Sequence, residues 1–466
     1  MADAMAPLGG ARLPADADLE KVAKERGIKF FLVSFVDVCG VLRSKMVPAG
    51  GIKQIQKEGA GFAPFAAYQD FGPDAADMVA IPDPSSLIQV PFNPEIGFVI
   101  GDCYVEGVRV ADSPRWVLKS QIEKAAALGY VFKTGVEPEF FLLAEGDPPK
   151  ISDASDRKAK PCYETGALMR RYEVLKEIVE TLNAVGFGVY QTDHEDANGQ
   201  FEINWHYSDC LTTADQHVFF KWVVKTIAEK HSLRATFMPR PFHNQTGNGC
   251  HCHCSLWKGD SNVFVGEQAS KELSSEVGDM KDLGLSALGL HFLGGVLSKA
   301  GAFCAFSNPT VNSYKRLIGI PTASGSTWAP NRISFSGNNR THMVRVPAND
   351  RFEVRVADGA VNPYVLQAVI LASGLLGMEK SMGPEKFFFK PTVNMYKIAD
   401  GSPEVASLPK MPQNLLDALR ALEADADFPA LLGAGFVASF LKLKHAEWEE
   451  FIRHLTAWEL ETTLDC

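Results

Sequence analysis

The sequence predicts an α+β protein of two unequal domains. Three observations carry that reading: a small mixed β unit of short strands over roughly the first 100 residues, a helix-start signal at Asp112-Ser113-Pro114, and a later alternation of strand-like and helical runs that closes in helices. Residues 1–14 are small and contain Pro and Gly, which suits a loose tail. From Asp16, the spacing of Leu19, Val22 and Ala23 predicts a short amphipathic helix ending near Gly27. Phe30 to Asp37 reads as a strand, Cys39-Gly40 as a turn and Val41 to Val47 as the returning strand, with further strands near Met78–Ile81 and Gly97–Ile100. Ser113 can cap a helix with Pro114 in its first turn and Leu118, Ile122 and Ala125 on one face. Beyond it, Val131–Leu143 and Phe201–Trp205 read as strands, and Met169–Val185, Gln216–Lys230, Gln413–Leu422 and Val437–Leu455 as helices. The working division is a tail at 1–14, a small domain at 15–108 and a large one at 109–466.

Composition narrows the function. The 466 residues carry a net charge of −10 and no basic block, which argues against a nucleic-acid or anionic-membrane partner and for small molecules. The apolar stretch Leu283–Phe306 is interrupted by His291, Ser298 and Lys299 and reads as a buried helix, not a membrane span. The first thirty residues show no basic segment followed by an apolar one, and nine scattered cysteines fit a reducing compartment, so a cytoplasmic location is expected.

Four segments could carry chemistry. In Gly135-Val136-Glu137-Pro138-Glu139-Phe140-Phe141, two carboxylates two residues apart on a strand share a face. In an apolar strand such a face needs a partner, and a divalent cation is the most economical one, a solvated edge strand being the alternative. A second acidic group, Asp193 to Glu202, could fold as a hairpin that brings Glu195 to Glu202, or could be an ordinary polar loop. The run Gly249-Cys250-His251-Cys252-His253-Cys254-Ser255 resembles a zinc tract superficially. In a strand, though, its cysteines share one face and His251, His253 and Ser255 the other, so the cysteines read as packing and the His/Ser face as the site. Finally, Arg316, Arg332, Arg340, Arg345, Arg351 and Arg355 concentrate guanidinium groups suited to carboxylates and phosphates, although any one pair could be a salt bridge across a sheet. No phosphate-binding Gly-rich loop opens a helix, so phosphates would need arginines and metals.

Together, Val136–Phe141, Gly199-Gln200-Phe201-Glu202, Gly249–Trp257, Asn308–Arg316 and Arg351–Arg355 resemble the glutamine synthetase superfamily, in the family's order from about residue 17 to the C-terminus. The resemblance implies a small N-terminal β-grasp domain and a large catalytic domain with a curved antiparallel sheet. It also implies ring-shaped homo-oligomers, commonly two stacked hexamers making a dodecamer, with each site between neighbouring subunits. By position Glu139, Glu195 and Glu202 resemble the ligands of one Mg²⁺, and Glu137, His251 and Glu353 those of a second, with Mn²⁺ as the alternative ion. His253 and Ser255 match positions near the nucleotide of ATP; Arg340, Arg345 and Arg351 those around the transferred phosphate; Arg316, Arg355 and the Gly247 loop those around glutamate. The implied chemistry is attack of the glutamate γ-carboxylate on ATP to give γ-glutamyl phosphate, then amide formation with an amine.

The chain departs from the family at the acceptor site. Where ammonia-using members carry Phe-Asp-Gly-Ser-Ser, this chain has Phe62-Ala63-Pro64-Phe65-Ala66. Thr322 stands where a flap Glu is expected after Arg316, and no acidic residue occurs from Leu317 to Asn349. Loss of two carboxylates and a hydroxyl disfavours capture of ammonium, while Ala63 and Ala66 leave room for an alkyl group. The segments 324–331 and 337–347 resemble the branch containing γ-glutamylmethylamide synthetase, which makes methylamine the expected acceptor. Ammonia is the alternative, and a catalytically silent relative is a further one. Phe62, Phe65 and Tyr68 speak against a larger, polyamine-type acceptor. Tyr163, Asp193 and Glu195 are the candidates to handle the amine and its proton. Tyr396 falls in a region that carries a modified tyrosine in some relatives.

Overall fold

The structure, a computed structural model, describes residues 12–67, 70–266, 280–318, 322–399 and 401–466. Most of the expected tail, and Tyr68, lie outside them.

Seven strands form the first sheet: β1 (Phe30–Val36), β2 (Leu42–Pro48), β3 (Ala60–Phe62), β4 (Met78–Pro82), β5 (Ile88–Gln89), β6 (Ile96–Val105) and β7 (Val108–Arg109). Their order is β2-β1-β6-β4-β3, with β5 and β7 also on β6. Asp37 sets the β1–β2 turn: its carboxylate accepts the Val41 N–H at 2.9 Å and pairs with Arg43 at 2.9 Å. Alternation then sends Phe31, Val33 and Phe35 into a core with Leu19, Ile52, Met78 and Val99. The opposite face is not solvated, because Val36, Val38, Phe98 and Ile100 join the main core of the second half of the chain.

The two halves also meet through a buried charge cluster. Arg115, in the helix Pro114–Ala127, reaches Asp83 at 2.9 Å and Asp102 at 2.8 Å on one side and Asp215 at 3.2 Å on the other. Ser113 stands at the start of that helix but makes no side-chain capping bond, contrary to expectation.

The second sheet has eleven strands: β8 (Val131–Ala144), β9 (Lys150–Ile151), β10 (Val189–His194), β11 (Gln200–Trp205), β12 (Ser208–Asp209), β13 (Leu233–Thr236), β14 (Cys250–Lys258), β15 (Ser261–Asn262), β16 (Phe335–Ser336), β17 (Val344–Ala348) and β18 (Arg351–Val354). They run β10-β11-β8-β14-β18-β17-β16, antiparallel apart from the β16–β17 pair. The long strand β8 is the spine. Phe132, Val136, Phe140 and Leu142 point to the main core, which leaves Glu137 and Glu139 on the other side.

Helices cover the core face. The expected helix Met169–Val185 is two, Thr165–Arg170 and Tyr172–Ala184, because Arg171 leaves helical geometry (φ −110°, ψ 13°) with its Nε–H on Ser152 Oγ at 3.0 Å. The expected helix Gln216–Lys230 starts earlier, at Cys210, where Asp209 accepts the Thr212 N–H at 3.0 Å. The single buried helix expected over Leu283–Phe306 is also two, Ala287–Ser298 and Ala300–Ser307, bent by 72°. Lys299 sits at the bend and reaches Asp425 at 2.8 Å and Asp427 at 2.5 Å. A cation in an apolar run must find a partner, and the turn delivers it. Gly295 lets this pair pack tightly on the helix Pro363–Glu379, since a Cβ there would fall 2.1 Å from the Ser373 carbonyl oxygen. Among the described residues no single helix is long and apolar enough to cross a membrane, and the bent pair lies in the main core.

Candidate active site

Strand register lines up the polar side chains across six neighbouring strands. Asp193 on β10 stands opposite Glu202 on β11, Glu202 opposite Glu139 on β8, and Glu137 opposite His251 on β14. His253 then stands opposite Glu353 on β18, and Glu353 opposite Arg345 on β17. The three alternating cysteines Cys250, Cys252 and Cys254 are on the far face and fully buried, with burial pushing the Cys250 thiol up. They are packing residues, as the two-residue strand period requires, and all nine cysteines are free.

The polar face lines a cavity of about 640 Å³ bounded by Glu137, Glu139, Glu195, Glu202, His251, Glu353, Arg316, Arg340, Arg345 and Arg355, with Gly247, Asp193 and Tyr163 also at its wall. Two groups could hold a cation on one side: Glu139, Glu195 and Glu202, and Glu137, Glu202 and His251, each with ligand atoms within 4.8 Å of one another. Glu137, His253 and Glu353 make a third such group. His251 Nδ1 lies 3.7 Å from both Glu137 and Glu353, so the six side chains expected as ligands are contiguous. His253, expected beside the nucleotide, also touches Glu137, at 3.1 Å.

The electrostatics fit a cation-binding site. Burial, opposed by Arg316, takes the Glu139 carboxyl up to about 7, and burial plus neighbouring carboxylates drives Glu195 and Glu202 well above the ordinary range. Three carboxylates cannot all ionise in one buried cluster without a counter-charge. Glu137 behaves oppositely: burial would raise it, but the neighbouring imidazoles of His251 and His253 hold it well below. Burial and Arg355 lower His251 to about 4, a neutral imidazole whose Nε2 is buried without a hydrogen-bond partner, as a metal ligand's would be. Burial would raise Glu353, yet Arg355 and the two histidines hold it at about 2. Its oxygens are shared by Arg345, at 2.7 Å, and Arg355. The donor set, mostly carboxylate oxygen with a histidine, suits Mg²⁺ or Mn²⁺.

Arg316 is fully enclosed, its guanidinium on the carbonyls of Val356 at 2.8 Å and Arg355 at 3.3 Å. Its guanidinium also lines the cavity, where a buried cation suits an anionic ligand. Gly249 makes this crowding possible. A Cβ there would lie 2.9 Å from Glu139 Oε1 and His251 Nε2 and 3.0 Å from Arg316 Nη2.

A second cavity of about 460 Å³ adjoins the first and shares Glu137 and Arg345 with it. His253, Ser255 and Arg351 line it together with Tyr190, Trp205, Tyr207 and Trp257. Four of the five residues expected at the nucleotide and phosphate are thus gathered in one aromatic-walled recess, Arg340 lining only the first cavity, while Arg351 stays out of the first cavity and pairs with Asp350 at 2.9 Å.

Other expectations land elsewhere. Arg332 is buried away from the site, on the carbonyls of Val405 and Leu408 at 3.3 and 3.1 Å. Ala63 and Ala66 are exposed on the first half of the chain and do not line this chain's cavity. Thr322 bonds within its own loop, to Ser324 at 3.0 Å, and leaves Ser324, Thr327 and Trp328 to line the cavity. The Tyr396 hydroxyl is turned inward, donating to the Arg340 carbonyl at 3.3 Å.

Several site residues escaped the sequence reading. Gln200 is fully buried and donates to Glu139 at 2.8 Å and to the Gly247 carbonyl at 3.2 Å; its place two residues before Glu202 on one strand was the available signal. Asp196 gathers the hydroxyls of Thr246, at 2.6 Å, and Ser324, and so ties two loops to the acid cluster. His194 is buried between Asp156, at 2.7 Å, and the Glu195 carbonyl, at 2.8 Å, which fixes the backbone that carries Glu195.

Comparison with known proteins follows the same lines. Residues 111–463 match the family model of the glutamine synthetase catalytic domain. A glutamine synthetase of Rhizobium meliloti (strain 1021) is 50% identical over 450 residues, 96% of this chain and 99% of the relative. A glutamate–methylamine ligase of Methyloversatilis universalis is 39% identical over 452 residues, with 96% and 99% covered. The solved structure described as "GmaS/ADP complex-Conformation 1" superposes with a TM-score of 0.89 at 49% identity, covering 96% of this chain and 100% of the other.

Proposed function

The chain belongs to the glutamine synthetase family and is a carbon–nitrogen ligase, and from that premise we propose that it joins the γ-carboxylate of glutamate to methylamine at the expense of ATP. One observation carries the choice of amine: the loop tied over the acid cluster by Ser324 presents Ser324, Thr327 and Trp328 to the cavity and no carboxylate. Similarity to a relative named glutamate–methylamine ligase and to GmaS structures supports the same reading. The higher identity to a glutamine synthetase makes ammonia the second reading.

In this account Arg316 and Arg355 hold glutamate, and His253, Ser255, Arg345 and Arg351 hold the nucleotide and its phosphates. Arg340 and Arg345 face the transferring phosphoryl group, where preorganised cations stabilise the charge that develops. Divalent ions held by Glu139, Glu195 and Glu202 and by Glu137, His251 and Glu353 would add Lewis-acid stabilisation of the same oxygens. The alkylammonium sheds its proton to the acid end of the cavity, where Asp193 Oδ1 is buried with no hydrogen-bond partner. Ala63 and Ala66 would reach a neighbouring subunit's acceptor site in a ring-shaped, dodecameric assembly, and free thiols throughout suit the cytoplasm. ADP release measured with glutamate and either methylammonium or ammonium tests the proposal. A larger kcat/KM for methylammonium is expected; a larger one for ammonium overturns it.

A further inference from the structure

Five described residues other than glycine have a left-handed backbone: Glu106, Tyr163, Ser232, Trp328 and Ser381. Bulky side chains rarely adopt it, and they persist there only where the surroundings impose it. Tyr163 (φ 62°) and Trp328 (φ 51°) are the two aromatic residues in that set and the two that line the catalytic cavity. Neither ring is packed away; Tyr163 is 68% and Trp328 36% exposed.

Both are anchored to the same short stretch. The Tyr163 N–H donates to the His194 carbonyl at 2.8 Å, and the Trp328 loop is fastened by Ser324 to Asp196. Between these anchors lies Glu195, and Asp193 precedes them, its Oδ1 buried without a partner. Tyr163, Trp328 and the carboxylates of Asp193, Glu195 and Asp196 all line the same cavity. Among the described residues Lys160 is the one lysine lining this cavity, and it is exposed.

We propose that Trp328, with Tyr163, forms an aromatic wall for the N-alkyl group of the amine while Asp193 receives its ammonium, so that Trp328 determines specificity for an alkylated over a bare ammonium. This rests on the ligase reading above. A bare ammonium presents four N–H donors and loses more hydration on entering the cavity, and a ring face supplies no lone-pair acceptor to replace it. An alkylammonium presents three donors and one apolar arm, and a ring face both packs that arm and attracts the adjoining positive charge.

The test compares kcat/KM for methylammonium, ethylammonium and ammonium in the full-length enzyme and in Trp328→Phe and Trp328→Ala, with KM for glutamate and ATP measured alongside. In Trp328→Ala the methylammonium-to-ammonium ratio falls about tenfold, a change of about 1.4 kcal/mol, through KM for the alkylamine. Trp328→Phe keeps the ratio within about threefold, because a ring face remains. A ratio that does not move in Trp328→Ala, or an equal loss for all amines, glutamate and ATP, overturns the proposal. Should Trp328→Ala not fold, Trp328→Leu, which keeps apolar volume without a ring, replaces it under the same criterion. If the wild-type enzyme prefers ammonium, the choice of methylamine fails, and the ratio in the variants still decides the role of Trp328.

Discussion

The cavity has two ends built in different ways. At the end proposed for metal and phosphate, most side chains stand on strands of one sheet, and register places Glu139, Glu202, Glu137, His251, His253, Glu353 and Arg345 in line, with Glu195 and Arg340 just outside the strands. At the end proposed for the amine, Tyr163, Asp196, Ser324 and Trp328 come from loops held by a few local bonds, among them the Tyr163 N–H on the His194 carbonyl and Ser324 on Asp196, the latter spanning 128 residues of sequence. The difference separates two tasks. Phosphoryl transfer demands charges fixed to a fraction of an ångström, which a sheet supplies, whereas acceptor choice can be revised by changing a loop without disturbing the sheet.

Breaking the strand-built end has the largest effect. Glu353→Ala removes a metal-group carboxylate and leaves Arg345 and Arg355 without their shared anion, so kcat falls by about 10³-fold or more. Steady-state ADP release with saturating Mg²⁺ reports it, and activity within tenfold of wild type would remove Glu353 from the metal assignment.

Gly249→Ala probes the same end by crowding. The added methyl meets Glu139, His251 and Arg316 at once, and a displacement of these groups costs about 10²-fold in kcat with the fold retained by circular dichroism. A fully active Gly249→Ala enzyme would show that these three side chains have more freedom than their contacts imply.

The loop-built end yields a smaller effect, and one that depends on pH. Burial would raise the Asp156 carboxyl, but hydrogen bonds from His194, Asn198 and the Gly199 N–H outweigh it and hold the group below its ordinary value. Its contribution to stability is therefore present above the unfolded carboxylate range of about 3.9 and is lost as pH falls through the lower folded value. Asp156→Asn should cost about 1–3 kcal/mol near neutrality and raise KM for the amine more than for ATP. The gap in melting temperature between variant and wild type narrows below about pH 4; a gap that is constant with pH would assign the loss to packing instead.

The same contrast explains what could be read from the sequence. Period-two alternation revealed the faces of β8 and β14, so Glu137 and Glu139, the buried cysteines and the His251 face were legible before any coordinates. The hairpin joining Glu195 to Glu202 followed from a turn between two strands. The break at Arg171 and the bend at Lys299 were not legible, because each depends on a partner distant in sequence, Ser152 in one case and Asp425 with Asp427 in the other. Trp328 escaped for the same reason. Nothing in Ser324-Gly325-Ser326-Thr327-Trp328 marks its backbone as left-handed or its loop as tied to Asp196.

The most direct test of the account is a competition: purified enzyme, glutamate, ATP and Mg²⁺ with methylammonium and ammonium at equal concentration, the two amide products quantified by mass spectrometry. Their ratio is the ratio of kcat/KM for the two acceptors. γ-Glutamylmethylamide in excess over glutamine is the result the proposed function predicts, and glutamine in excess would contradict it.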